Sequence, residues 1–450
     1  MKDKPLQRVD HMMWDAEAPN SPVTIAGLMT FSKNISTEKV LDTVVNGLLH
    51  YERFKKKVVV KEKGPHWRLD ESFQAHTHIH RIALPGKGGA KELQVCVSDL
   101  VSQPFNYNKP LWEVHIIENY NGGTALLWRL HHAIADGMAL IKVVFSLTGA
   151  TAKESLAITN GTAIKEDHHG VKHELDEAME LLRKFYDEVQ EAMKHPELVG
   201  AAFKNSIATM KEVAGIFLGK TVAKSIYKGK LGYAKTVAWS EPFPLADVKK
   251  IGKANGCTVN DVLLTAATGA LRKHLLKHKE KPTQGLRIVV PINMRKQGSV
   301  TKLHNEFGWL SVELPVHMPK QKDRLKFIRE KTVMLKASIE PFFLNEVVHV
   351  LADYSPLKVK QWFLDFLGTK IAGVITNVPG PKQPVYLAGQ KVEDLMFWVP
   401  HTTALGIGLS LMSYNGKVYM GLVTDSQLVP DPDVVTKAFG QEIKAMSKLC

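Results

Sequence analysis

The sequence predicts an α/β protein of two domains joined by a helical connector. Three observations carry this reading. Strand-like and helical patterns alternate over residues 1–150, polar and then long helical material fills 151–235, and the mixed pattern returns over 236–450. A chain of 450 residues has room for about two to four domains with substantial cores.

Taken in order, residues 40–51 have helical spacing. Residues 111–120 and 124–130 are strand-like runs joined by Asn121-Gly122-Gly123, which predicts a β-hairpin. Asp136 then stands before apolar positions at helical spacing, so the second strand is expected to feed a helix. Within the connector, residues 204–235 carry seven lysines against Glu212, with Phe203, Ile207, Met210, Ala214 and Phe217 three or four apart, predicting a basic amphipathic helix. The second domain is expected to open with a strand at 236–239, helices at 245–256 and 258–278, and a strand at 286–291. Residues 395–416 are uncharged and long enough to span a bilayer, but Pro400, His401, Ser410, Asn415 and three glycines interrupt them. Two buried strands with a bend are predicted there.

Composition narrows the function classes. At 44% hydrophobic and 23% charged the chain is no disordered polymer. Lys and Arg number 59 against 45 Asp and Glu, a net charge of +14 that favours anionic partners. Nucleic acid fits this poorly: the excess is dilute, no binding motif appears, and the densest basic stretch is interleaved with apolar residues, as suits a lipid headgroup surface. Cys96, Cys257 and Cys450 are far apart and odd in number, arguing against a disulfide framework and a thiolate zinc site, and fitting the cytoplasm. No secretory signal is expected over 1–15, and Ser447-Lys448-Leu449 precedes Cys450, so it does not read as a peroxisomal tail. His76, His78 and His80 alternate along a strand-like run, the geometry of some metal sites, but lack acidic or cysteine neighbours, and no metal is expected.

The sharpest local feature is His131-His132-Ala133-Ile134-Ala135-Asp136-Gly137, where a strand ends and a helix begins. Adjacent histidines on extended backbone face opposite sides, so one can line a cleft while the other packs. An imidazole suits proton abstraction near neutrality. Asp136 either caps the helix or orients the loop through an arginine.

With this motif go PLWEVHIIE (110–118), NDVLLTA (260–266), PINMR (291–295), LHNEFG (303–308), NVPGP (377–381) and an opening from Leu6-Gln7-Arg8-Val9-Asp10 to Gly27-Leu28. In order and spacing, across almost the whole chain, they resemble the bifunctional bacterial wax ester synthase/acyl-CoA:diacylglycerol acyltransferases. The resemblance implies two α/β domains of the chloramphenicol acetyltransferase type with a reaction tunnel between them. It implies transfer of a long-chain acyl group from acyl-CoA to a fatty alcohol or diacylglycerol hydroxyl, without an acyl-enzyme. Acyl-CoA is then a substrate and CoA a product, and no resident cofactor is expected. His132 would be the general base, His131 supporting, Asp136 structural, and Gly137 would leave room for the acyl donor. Asn260 and Asp261 would have a polar role near the reaction centre, with an ordinary helix cap as their plainer reading. Arg295 is a candidate partner of Asp136. Asn377, Pro379, Gly380 and Pro381 would build a turn by the tunnel, and Pro110, Leu111, Trp112 and Asn305 complete the substrate-binding or structural set.

Two departures stand out: the family's Leu-Gly-Asn reads Leu303-His304-Asn305, and its Pro-Met-His reads Ser21-Pro22-Val23. Neither is expected to touch the base. Condensation domains that acylate amines share H-H-x-x-x-D-G, so the motif leaves the acceptor open, and a non-catalytic acyl-CoA or lipid carrier would need the tunnel but not His132. Water-insoluble substrates imply a cytoplasmic protein associated peripherally with the inner membrane or lipid bodies.

Overall fold

A computed structural model of the chain describes residues 3–162, 225–293, 303–305, 307–336, 368–400 and 405–449. The first half runs β1 (Lys4–Pro5), α1 (Arg8–Asp15), β2 (Thr24–Phe31), α2 (Thr37–Asn46), β3 (Lys56–Lys61), β4 (Gly64–Leu69), β5 (Ile79–Ala83), α3 (Ala90–Ser102), β6 (Trp112–Tyr120), β7 (Gly123–His131), α4 (Gly137–Phe145) and α5 (Ala152–Thr159). The predicted hairpin is β6–β7. Asn121 and Gly122 form its tip with φ of 49° and 79°, the positive values that a tight two-residue turn demands. The helix expected over 40–51 lies earlier, because Ser36 caps α2 from its N-terminal side, and a separate short 3₁₀ turn follows at Leu48–His50.

The second half runs β8 (Lys235–Trp239), β9 (Phe243–Pro244), α6 (Leu245–Ala254), α7 (Val259–Lys277), β10 (Leu286–Asn293), β11 (Phe307–Leu314), α8 (Gln321–Lys336), β12 (Gly373–Pro379), β13 (Tyr386–Leu387), β14 (Gln390–Lys391), β15 (Asp394–Trp398), β16 (Ile407–Tyr414), β17 (Lys417–Asp425) and α9 (Pro432–Met446). Of the four sheets among the described residues, the first large one has the order β15-β2-β7-β6-β5 and the second β11-β10-β12-β16-β17-β8, with β9 also on β17; β1-β4-β3 and β13-β14 are small. Each of these two large sheets is covered by helices, giving two α/β bodies with largely separate cores.

The two strands predicted over 395–416 exist but enter different sheets. β15 pairs antiparallel with β2 of the first sheet, Asp394 opposite Thr30, whereas β16 lies between β12 and β17 of the second. The division at residue 236 is therefore crossed by a strand. β15 then passes so close over β17 that a Cβ on Gly421 would meet the Phe397 carbonyl oxygen at 2.4 Å. Trp398 completes the junction, buried and donating its indole N–H to Ala238 O at 3.2 Å.

The first half also covers the edge of the second sheet. β8 pairs with β17 on one side only. On the other, α3 supplies side chains: Gln94 Nε2 donates to Val237 O (2.8 Å), while Ser98 Oγ and Ser102 Oγ accept from Val237 N and Lys235 N (3.0 and 2.8 Å). These bonds satisfy an otherwise open strand edge.

The basic helix expected over 203–235 falls outside the described residues as far as 224, and where the chain is described it is not helical. Lys228 donates to Thr369 O, and Lys235 opens β8 as a buried cation bonded to Asp425 Oδ2 (2.7 Å), Asn20 O and Gly232 O (both 2.8 Å). These two lysines therefore serve internal packing. The run 76–80 is likewise not one strand: Ala75–His78 is a 3₁₀ turn, His78 stacks on Trp112, and His80 stacks on His115, so the three histidines do not converge.

Candidate active site

The H-H-x-x-x-D-G segment leaves β7 at His131 and enters α4 at Gly137. Its backbone is anchored before its side chains act. His131 N donates to Leu111 O (3.0 Å) and His132 N to Val23 O (2.9 Å). Leu111 and Trp112 are fully buried, and Trp112 donates to Phe54 O (2.8 Å), so the Pro110-Leu111-Trp112 stretch is core that holds the hairpin end. Asp136 caps α4, accepting from Ala139 N at 2.9 Å.

The two histidines have opposite fates. His131 is fully buried between Trp14 and Phe105, and both ring nitrogens are engaged. Ala133 N donates to Nδ1 (3.0 Å), which forces the proton onto Nε2 and makes it the donor to Glu17 Oε2 (3.2 Å). Glu17 also accepts from Val23 N (2.5 Å) and from the Tyr107 hydroxyl (2.7 Å). Burial raises its pKa, but these hydrogen bonds, that from His131 foremost, outweigh burial and hold the carboxyl below its usual range.

His132 keeps partial access to solvent. Its Nδ1 lies 2.9 Å from Asn305 Oδ1. The orientation of that amide is fixed by its nitrogen, which donates to both His132 O and Asp10 Oδ1 at 2.8 Å. The atom facing Nδ1 is therefore oxygen, Nδ1 carries the imidazole proton, and Nε2 carries the lone pair. Loss of hydration lowers the His132 pKa, opposed by the nearby Asp136 carboxylate. The ring is held as a neutral imidazole, the form that accepts a proton.

Asp10 organises this from behind. Fully buried, it takes Asn305 N and Nδ2 on Oδ1 and Arg53 Nη1 on Oδ2 (3.2 Å), while Arg53 Nη2 donates to Leu303 O (2.9 Å). Burial raises the Asp10 pKa against the pull of Arg53 and Asn305. Leu303-His304-Asn305 is thus pinned at both ends. Of the two departures, Ser21-Pro22-Val23 does touch His132, through the Val23 carbonyl, against expectation; in Leu303-His304-Asn305 the residue that binds the His132 ring is Asn305, which keeps the family pattern.

The remaining predicted residues form a second group. Asp261 is the reciprocal partner in a capping box with Thr258, and Thr332 Oγ1 donates to it at 2.7 Å, so its plainer reading holds. Asn260 Oδ1 accepts from Asn377 Nδ2 on β12 (3.2 Å), joining two motifs that the sequence presents separately. Pro379 ends β12, and Gly380 N donates to Ser413 O (2.9 Å) where a Cβ would meet that oxygen at 2.4 Å. Arg295, the candidate partner of Asp136, lies outside the described residues. Sequence reasoning passed over Glu17 and Arg53, because single charged residues remote in sequence carry no motif; Asp10 was noted only as part of the opening.

Beneath the motif a small, entirely apolar pocket, partly open to solvent, lies between the first sheet and α4. Ile25, Gly27 and Met29 line it from β2, Trp128 and Leu130 from β7, Phe397 from β15, and Leu140 and Val144 from α4. A Cβ on Gly27 would meet nothing within 4 Å. Among the described residues no helix is long and apolar enough to cross a membrane.

Comparison with known proteins matches this arrangement to a family. Residues 6–263 match the wax ester synthase/diacylglycerol acyltransferase catalytic domain, and residues 303–447 the C-terminal domain of the same enzymes. A probable diacylglycerol O-acyltransferase of Mycobacterium tuberculosis is 28% identical over 374 residues, covering 82% of this chain and 78% of its own. The O-acyltransferase WSD of Acinetobacter baylyi is 25% identical over 458 residues, covering 95% and 93%. Among solved structures, the wax ester synthase/diacylglycerol acyltransferase of Marinobacter aquaeolei VT8 superposes with a TM-score of 0.71 at 20% identity over 98% of each chain. The first condensation domain of the calcium-dependent antibiotic synthetase does so with a TM-score of 0.63 at 13% identity over 100% of this chain and 96% of that one. These two likenesses speak for the fold alone. On the strength of its two matching domains, the chain belongs to the wax ester synthase/diacylglycerol acyltransferase family and is an O-acyltransferase.

Proposed function

We propose that the chain transfers a long-chain acyl group from acyl-CoA to the hydroxyl of a fatty alcohol or diacylglycerol, with His132 as general base and no acyl-enzyme. The observation that carries this is the Asn305 clamp, which leaves the imidazole proton on Nδ1 and the lone pair on Nε2. Nε2 takes the acceptor's hydroxyl proton as its oxygen attacks the thioester carbonyl. The C–S bond then breaks, and the departing CoA thiolate receives that proton from the imidazolium. His131, with both nitrogens engaged, orients the segment and does not exchange protons. Asn260, held by Asn377, is assigned to the oxyanion through its side-chain nitrogen. The apolar cavity offers the acyl chain a path beside the motif, and the chemistry requires no metal or resident cofactor.

The acceptors are water-insoluble, so the protein is assigned to the cytoplasmic face of a membrane or lipid body, in keeping with its net charge of +14. Purified protein assayed with palmitoyl-CoA against hexadecanol, diacylglycerol and a long-chain amine tests the reading. Ester formation with either hydroxyl acceptor is expected. Acylation of the amine alone overturns it, as does undiminished turnover after His132→Ala.

A further inference from the structure

The C-terminal end of α7 carries a cluster that the acyl-transfer chemistry does not use. His274 and His278 are four residues apart, so their rings rise from the same face of the helix, with centroids 4.6 Å apart. Asp431, 153 residues after His278, approaches from the segment leading into α9. His274 Nε2 and His278 Nε2 lie 2.9 and 3.0 Å from the same carboxylate oxygen, Oδ1, and the three ligand atoms all fall within 4.8 Å of one another. We propose that His274, His278 and Asp431 form a divalent transition-metal site, with zinc the best-matched ion, that clamps the end of α7 to the start of α9.

Two imidazole nitrogens and one carboxylate oxygen suit zinc and not magnesium or calcium, which prefer all-oxygen shells. Bonds of about 2.0–2.1 Å in a tetrahedral site set neighbouring ligand atoms about 3.3 Å apart, so the observed 2.9 and 3.0 Å need widening by only a few tenths of an ångström. The outer groups are already arranged. Tyr227, fully buried, has its hydroxyl 2.9 Å from His274 Nδ1 and 3.1 Å from Leu271 O. In the ion-free protein His274 Nε2–H donates to Asp431 Oδ1. When an ion takes that place the ring proton moves to Nδ1 and donates to the phenol, the phenol donates to the Leu271 carbonyl, and the Nε2 lone pair turns to the metal. A metal-bound histidine is commonly held by such a bond on its other nitrogen. The carbonyls at a helix C-terminus also favour a cation. His274 is inaccessible, but His278 and Asp431 are about one third exposed, leaving a way in for the ion and room for water as fourth ligand. Lys277 bonds Asp431 Oδ2 at 2.7 Å; it leaves Oδ1 to the two histidines, and being half exposed it can turn to solvent when the ion binds.

The test uses tag-free, full-length protein, because the chain holds 19 histidines. After chelator treatment, zinc is titrated calorimetrically and retained metal is counted after dialysis. Wild-type protein is expected to hold one zinc tightly. His278→Ala, an accessible change remote from the acyl-transfer residues, should weaken that site by more than about 100-fold, and Tyr227→Phe by about 10- to 100-fold. The apo forms should keep their acyl-transfer rate. Cobalt substitution should give visible bands in wild type that His278→Ala lacks. Failure of wild type to retain zinc, or equal affinity in His278→Ala, overturns the proposal and leaves the cluster as hydrogen-bonded side chains.

Discussion

Asn305 holds His132 at two points, its amide oxygen 2.9 Å from the ring Nδ1 and its amide nitrogen 2.8 Å from the same residue's carbonyl. The grip fixes ring and backbone together and separates His132 from its neighbour, whose two nitrogens are engaged by Ala133 N and Glu17. His132→Ala should therefore lower kcat by about 10² to 10⁴, the usual worth of a general base, while acyl-CoA binding persists. His131→Ala should act mainly on stability, since it empties a buried site and takes one of three donors from the Glu17 carboxylate. Equal, small losses of activity at both positions would contradict this division.

Asn305 itself is a positioning residue. Asn305→Ala removes the acceptor that keeps the proton on Nδ1 and also uncovers Asp10, which loses a side-chain donor in a fully buried site at a cost of about 1–3 kcal/mol. Both kcat and Tm should fall, with KM for acyl-CoA little changed. Asn305→Asp should be worse, because it sets a second carboxylate beside Asp10. An Asn305→Asp enzyme as stable and active as wild type would refute the clamp.

The pH dependence follows from burial. The folded-state pKa of His132 lies below the ordinary value near 6.5 because the imidazolium is poorly solvated there. Only the neutral ring is a base, so kcat/KM should fall on the acid side with a midpoint below 6.5. Stability has the same sign. Between the lowered folded pKa and about 6.5 the unfolded chain binds the proton and the folded chain does not, so this contribution is complete above about 6.5 and declines as pH falls. Asp136→Asn keeps a good helix cap but removes the carboxylate that favours the imidazolium, so the acid limb should move to still lower pH. A midpoint above 6.5, or a shift upward in Asp136→Asn, would rule this out.

Much of this was legible in the sequence where the signal is local. The Asn121-Gly122 turn, the Asp136 cap and the alternating pattern of β6 and β7 depend on residues within a few positions, and they place the motif at a strand–helix junction. The partners that fix the His132 ring are not local: Asp10 and Asn305 meet across 295 residues, and no periodicity records such a meeting. Residues 395–416 show the same limit. Their apolarity correctly marks buried strands, but which sheet a strand joins depends on the edges available, and β15 joins the far one.

Surface association can be tested on the basic stretch as the sequence reads it. Lys228 and Lys235 are set aside, because they bond internally to Thr369 and Asp425. Replacing Lys211, Lys220 and Lys224 with Gln should weaken binding to anionic liposomes, each lysine near such a surface being worth about 1 kcal/mol at low salt. Turnover of detergent-dispersed substrate should be unaffected. Equal liposome binding before and after would remove these lysines from membrane attachment.

Gly27 sits in the middle of β2, opposite Trp128 on one side and Phe397 on the other. Glycine within a strand costs about 0.5–1 kcal/mol relative to alanine, and neither a left-handed backbone nor a close neighbour requires it here, since a Cβ would meet nothing within 4 Å. What glycine provides is space in the apolar cavity next to Ile25, whose Cδ1 lies 3.9 Å from where a Cβ on Gly137 would sit. If the acyl chain runs through this space, Gly27→Ala should be as active as wild type and slightly more stable. Gly27→Leu should fold but shorten the chain that fits, lowering kcat/KM for palmitoyl-CoA relative to octanoyl-CoA by about 10-fold or more, as expected when a few methylenes lose their place in an apolar pocket. Chain-length profiles of the three proteins decide the matter: a uniform loss across all lengths in Gly27→Leu would mean that the cavity is a packing defect and that the acyl chain lies elsewhere.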